Sequence, residues 1–526
     1  MGMAVLLTVS SVPVAAWAET VAPEGAVAEQ PVMEETVSGT GEVSEDGFVY
    51  KELEDGTLEI TGYNGSDTTV VIPAEIDGKT VTSIGERAFR YKVNLRSVEL
   101  PDSITRLGKS AFESCIVLNS INLPEGITRI ERSVFEHCYK LTGLKLPSGL
   151  TSIGEWAFSG CGLTGIELPS GVTSIEKYAF EACTGLTSIK LSGSLNSMGN
   201  GVFLDCKSLT DVSVDENNEN YSSVDGVLFN KQKAELLYYP TGKTGAYRVP
   251  DGVTGIGDSA FEDCTNLTGI EFPDGFTSIG NSSFKGCSSL TDVKLPNSLT
   301  QMGLYAFENC SGLTSVELPG SLTYIPMNAF RRCSSLPSIE FPSGLTEIDS
   351  NAFELCSSLT SVELPGGLTY MGSSIFGNCS SLTDILIDES NEKYSSVDGV
   401  LFNKAETKLL SCPAGRTGQF QVPEDVFAIE SGAFKGCSSL TDIKLPKDLR
   451  TVGYRAFSGC SGLTGIELPD TITSLGGYAF ENCSALTGLE LPDGLTSIGG
   501  NAFYECSSLT NIELPDGLTS IGGSAF

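Results

Sequence analysis

Sixteen cysteines, one histidine and a glutamate that returns at fixed intervals are the side chains of this sequence whose type and spacing could do chemistry. A thiol becomes a useful nucleophile when a base lies within hydrogen-bond reach, and His137 is the one histidine available. Its neighbour Cys138 belongs to a column expected to point inward while His137 points out. Cys412 lies more than ten repeats further on, on the order of 50 Å away at the spacing of stacked strands. Cysteine–histidine catalysis is disfavoured on both counts.

Fifteen of the cysteines, Cys115 to Cys506, stand three residues after a phenylalanine. Stacked repeats would set each thiol ~4.8 Å from the next with parallel Cβ vectors, a poor geometry for a disulfide. A ladder of buried thiols is expected, with scattered disulfides and metal binding as alternatives. The glutamates fall in two runs, Glu317, Glu340 and Glu363, then Glu467, Glu490 and Glu513, each between two apolar positions of a short extended segment. Like charges stacked ~4.8 Å apart repel. A face that keeps this repulsion reads as an acceptor for a basic partner or a cation, against the plainer reading of a solubilising face copied by repeat duplication. Two such carboxylates ~5 to 10 Å apart would also fit the acid and base of a glycosidase, but two tryptophans in the whole chain leave few platforms for a sugar ring. No catalytic residue, metal ligand or cofactor is assigned.

What must position these side chains is a repeat. Cys483 to Glu505, CSALTGLELPDGLTSIGGNAFYE, returns every 23 residues, and its phenylalanine recurs seventeen times between Phe89 and Phe526. A period of this size means a stacked solenoid. Ordering one coil costs on the order of 35 kcal/mol at ~1.5 kcal/mol per residue, so a coil needs neighbours on both sides to bury its apolar side chains. Leu486 to Leu491 alternates as a half-buried strand ended by Pro492. Leu495 to Ile498 is a second extended piece, and Ala502-Phe503 turns a tight corner, expected as 3₁₀. No span between turn signals is long enough for an ordinary helix. The fold class is mainly β, a leucine-rich-repeat solenoid of about 17 coils in a parallel stack with little helix, roughly 80 Å long at ~4.8 Å per coil.

Taken in order, residues 1–18 read as a secretory signal peptide ending in Ala16-Trp17-Ala18, and 19–46 as an acidic, disordered linker. Residues 47–82 read as a β-hairpin cap, and 83–526 as the solenoid, expected to be incomplete at its C-terminal end. Two insertions at about 214–250 and 387–423 share YSSVDGVLFN, beginning at Tyr221 and Tyr394, and read as β-hairpins standing off the coil surface. The formal charge of −34, from 66 acidic and 32 basic residues, disfavours nucleic acid and anionic membrane surfaces as partners. No membrane insertion is expected once the signal is removed.

The Leu486-x-x-Leu489-x-Leu491 core, with its Cys, Leu-Pro and Ala-Phe, resembles the BspA-like, TpLRR-type leucine-rich repeat family from about Phe48 to Phe526. The YSSVDGVLFN module and the GTLEITGYNG-like cap resemble it too. Gly494 stands where ordinary leucine-rich repeats carry Asn or Cys, which speaks against a helix-backed horseshoe. The resemblance implies a secreted or surface-displayed bacterial protein, adhesin-like, that binds protein or glycan partners on host or microbial surfaces. Glu317, Glu340, Glu363, Glu467, Glu490, Glu513, Tyr221 and Tyr394 are the candidate binding residues. The alternatives are a spacer presenting a C-terminal anchor or catalytic domain, and a surface glycan hydrolase.

Overall fold

A computed structural model describes residues 41–510 and 512–526; the expected signal peptide and most of the acidic linker lie outside them. Among the described residues every regular element is a strand. Each coil contributes up to two short strands, for example Ser315–Glu317 and Tyr324–Ile325. They pair in parallel with the strands one repeat away, so that Val293 stands against Val316 and Ile348 against Met371. Segments of the first kind build one parallel sheet and Ser-Ile segments a second. In the coils after Lys444 the first sheet thins to an isolated bridge between Gly465 and Gly488, while the second continues to Ser520–Ile521.

The repeated residues explain the stack. Alternation buries Val362 and Leu364 and leaves Ser361 and Glu363 in water. The threonine of each Thr-Ser-Ile segment links coils twice: Thr346 donates its N–H and its Oγ1–H to the Thr323 carbonyl, at 2.9 and 3.0 Å. Phenylalanine rings stack face to face in the core, Phe284 on Phe307 at 5.0 Å and Phe307 on Phe330 at 5.3 Å, each such pair contributing about 0.5–1.5 kcal/mol beyond its burial.

The corner carrying that ring is not 3₁₀. Residues two before and two after the phenylalanine adopt positive φ, as at Tyr305 (60°) and Asn309 (58°) around Phe307. Alternating hand turns every second N–H along the stack: Tyr305, Phe307 and Asn309 donate to the carbonyls of Met327, Ala329 and Arg331 in the next coil. A non-glycine residue in the left-handed region costs about 1–2 kcal/mol, and the inter-coil bonds offset it, since a buried N–H left unpaired costs a similar amount.

The cap comprises β1 (Glu42–Val43), β2 (Phe48–Glu52), β3 (Leu58–Tyr63), β4 (Thr69–Val71), β5 (Glu75–Ile76) and β6 (Lys79–Ile84). Its first three strands are antiparallel, β3 then runs parallel to β6, and β4 and β6 each start one solenoid sheet by pairing with Ser97–Glu99 and Arg106–Leu107. Tyr63 lies 5.8 Å from Phe89, so the cap also seats the first core ring. Strand β1 falls inside the stretch expected as linker; pairing of Glu42 and Val43 with Tyr50 and Val49 holds it.

The insertions also depart from expectation. Each begins with an antiparallel hairpin, Tyr221–Val224 against Val227–Asn230 and Tyr394–Val397 against Val400–Asn403, but the rest rejoins the solenoid. Glu235–Tyr238 pairs in parallel with Gly255–Ile256 in the second sheet, and Gly245–Arg248 with Leu267–Glu271 in the first; the second module repeats both pairings. A wholly detached hairpin would leave the apolar faces of the neighbouring coils uncovered, and rejoining covers them.

Candidate functional site

The glutamate column lies along the first sheet. Glu317, Glu340 and Glu363 are exposed and stand on consecutive rungs, joined by parallel bridges. Register also places Lys294 beside Glu317, with Nζ 2.5 Å from its carboxylate, so Glu317 is compensated. Among the described residues no ammonium or guanidinium lies within ion-pair distance of Glu340 or Glu363, and the next rung is the exposed Leu386. The uncompensated repulsion is therefore held by two carboxylates rather than three. Glu467, Glu490 and Glu513 are likewise exposed, the first two on coils bridged at Gly465 and Gly488. Leu386, the second module and Lys444 separate the two runs, which form distinct patches.

Sequence reasoning missed two members of this column. Because the modules rejoin the first sheet, Arg248 stands beside Glu271 and Gln421 beside Lys444. Tyr221 and Tyr394 belong to the second sheet instead, away from the glutamates. Both are half-buried, and burial raises both phenols above their ordinary range. The Tyr394 hydroxyl accepts a bond from the Met371 N–H at 3.1 Å, which ties the module hairpin to the preceding coil.

The thiol column is buried, and all sixteen cysteines are free. Each sulfur in the regular coils links its coil to the one before. Cys310 Sγ donates to the Phe284 carbonyl at 3.0 Å and Cys333 Sγ to the Phe307 carbonyl at 3.2 Å. Burial pushes these thiols up, Cys115 to about 12, so they are neither nucleophiles nor ready metal ligands at neutral pH.

A second charged column runs through the residue that follows each phenylalanine, and here the signs alternate. Lys285 meets Glu262 at 3.1 Å; Arg331 bridges Glu308 and Glu354 at 2.8 Å each; Lys435, across the second module, reaches Glu354 at 2.5 Å. Burial alone would raise the Glu354 carboxyl, but Lys435 and Arg331 outweigh it and hold it below the usual range. The signal was legible as Glu, Lys, Glu, Arg, Glu at 23-residue spacing from Glu262 to Glu354.

The chain matches the BspA type leucine rich repeat region over residues 68–145, 128–244, 234–334, 305–411 and 416–526. It belongs to this family. No curated protein matches it. Among solved structures, a leucine rich cell surface protein of Faecalibacterium prausnitzii is 28% identical with a TM-score of 0.52, covering 67% of this chain and 96% of its own. A leucine-rich repeat protein of Bacteroides ovatus is 25% identical with a TM-score of 0.38, covering 90% and 95%, and one of Eubacterium ventriosum is 21% identical at 0.46, covering 84% and 93%. In this BspA-type chain the stacked strands and the thiol and phenylalanine columns are scaffold, and chemistry available to a partner lies on the exposed rungs. Among the described residues no helix is long and apolar enough to cross a membrane.

Proposed function

We propose that this BspA-type chain is a secreted or cell-surface bacterial binding scaffold, adhesin-like, that holds a basic partner protein on the carboxylate column of its first sheet. The observation that carries the reading is the pair Glu340 and Glu363. Both are exposed, stand in adjacent register and, among the described residues, lack a cation, while Glu317 beside them has one. A strand ladder fixes their spacing before a partner arrives, so little side-chain order is lost on binding, and Leu386 on the next rung offers an apolar contact beside the charge. The cell-surface description of the Faecalibacterium relative supports the location.

Fluorescently labelled chain applied to host epithelial and bacterial cells tests the reading by flow cytometry. Saturable binding that weakens as salt rises is expected, and Glu340→Lys with Glu363→Lys should weaken it by about tenfold or more. Binding unchanged by the double reversal would remove the glutamate column from the account. Absence of binding to any cell type would favour a spacer.

A further inference from the structure

The alternating column ends abruptly. Read backwards it runs Lys435, Glu354, Arg331, Glu308, Lys285, Glu262, and the coil before Glu262 carries Leu204 in that place. Lys285 meets Glu262 from one side; on the other, where the alternation calls for a cation, a cleft of about 540 Å³ opens between the coils of Phe203 and Phe261. Its walls include Glu262, Glu235, Asp258 and the rings of Tyr221 and Tyr238, with Met198, Leu204 and Ile279 as apolar surface. Among the described residues no lysine or arginine lines it.

The duplicated modules supply an internal comparison. In the first, Tyr238 and Tyr239 wedge into the ring stack, 5.5 Å from Phe203 and 4.7 Å from Phe261 respectively, and the Tyr238 hydroxyl donates to the Phe203 carbonyl at 3.0 Å. In the second, the same places hold Ser411 and Cys412, and the flanking coils touch: Asn378 N–H donates to the Lys435 carbonyl at 3.0 Å. The acidic positions are reversed as well, since Glu235 and Glu262 correspond to Lys408 and Lys435. Lys435 is 9% exposed and engages Glu354. Where the chain supplies its own cation the coils close; where it has glutamate they stand apart.

We propose that the first-module cleft is a binding site for an alkylammonium group, the end of a free diamine or a lysine side chain of a peptide. The ammonium takes the rung that Leu204 leaves uncharged, and the methylenes lie along Met198, Leu204 and Ile279. A long aliphatic stem with a charged tip matches a cleft that is apolar on its walls and acidic at three positions, and the volume suits a small ligand.

Isothermal titration of the full chain with cadaverine, with lysine blocked at both backbone ends, and with uncharged pentanol tests this. One saturable amine site per chain is expected, with pentanol silent. Tighter binding of cadaverine assigns the site to free amines, and tighter binding of blocked lysine to peptides. Glu235→Gln with Glu262→Gln should weaken binding by about tenfold, while Glu340→Lys with Glu363→Lys leaves it unchanged and so separates this site from the strand face. Should Glu262→Gln disturb folding, the exposed changes Glu235→Gln and Asp258→Asn decide. No saturable amine binding, equal binding of pentanol, or indifference to these glutamine and asparagine changes would overturn the proposal.

Discussion

A buried cysteine in this chain is a hydrogen-bond donor of the right size. The corner turns the phenylalanine carbonyl toward the next coil, where only a short side chain fits, and Cys310 Sγ meets the Phe284 carbonyl at 3.0 Å. Cys310→Val removes the donor and leaves that carbonyl unpaired, so it should cost about 1–3 kcal/mol, read as a lower urea midpoint; Cys310→Ser, which keeps a donor, should cost less. Equal losses would mean that the sulfur only fills space. Glu354 makes a second residue-scale prediction. Its carboxyl is held below the usual value by Lys435 and Arg331, so its contribution is present above the unfolded pKa and lost as pH falls through the lower folded value. Between about pH 6 and pH 3, the melting temperature of the wild type should fall further than that of Glu354→Gln; parallel falls would contradict the pairing. The inward thiols were legible from spacing alone, because 23 residues bring like onto like. Their acceptor was not, because the left-handed φ at Tyr305 and Asn309 that aims the carbonyl leaves no composition signal: tyrosine, serine, arginine and asparagine all occupy those places.

The module shows what spacing could not supply at the scale of elements. Its sequence announces turns and apolar pairs, which suffice for a hairpin, but the return of Gly245–Arg248 and Gly418–Gln421 to the first sheet depends on which coils lie above and below. The anchor is Asn391, 1% exposed, whose amide donates to the Gly366 and Leu368 carbonyls at 3.0 and 2.9 Å and accepts from the Lys393 and Tyr394 N–H groups at 2.8 Å each. Asn218 makes the same four bonds in the first module. Asn391→Leu leaves all four partners unpaired at about 1–3 kcal/mol each before relaxation, so the module should open locally while the remaining coils hold. Limited proteolysis should then cut first within 387–423; cleavage spread evenly along the chain would place the module's stability elsewhere.

At the scale of the whole molecule, stability is a sum over neighbouring coils, and unfolding need not be one cooperative step. The modules and the cap are joints in that sum rather than attachments, since they carry the sheets through: Tyr63 seats the ring of Phe89, and Tyr239 seats Phe261. Function on this view is written on surfaces that the stack spaces out, with one sign repeated at Glu340 and Glu363 and alternating signs buried from Glu262 to Lys435. Both depend on residues 23 apart in sequence being neighbours in space. The most direct test is to label Glu340→Cys together with Glu363→Cys with pyrene maleimide, the native thiols being buried. Strong excimer emission is expected from this pair and none from Glu340→Cys with Glu467→Cys; monomer emission alone from the first pair would contradict the register on which every column rests.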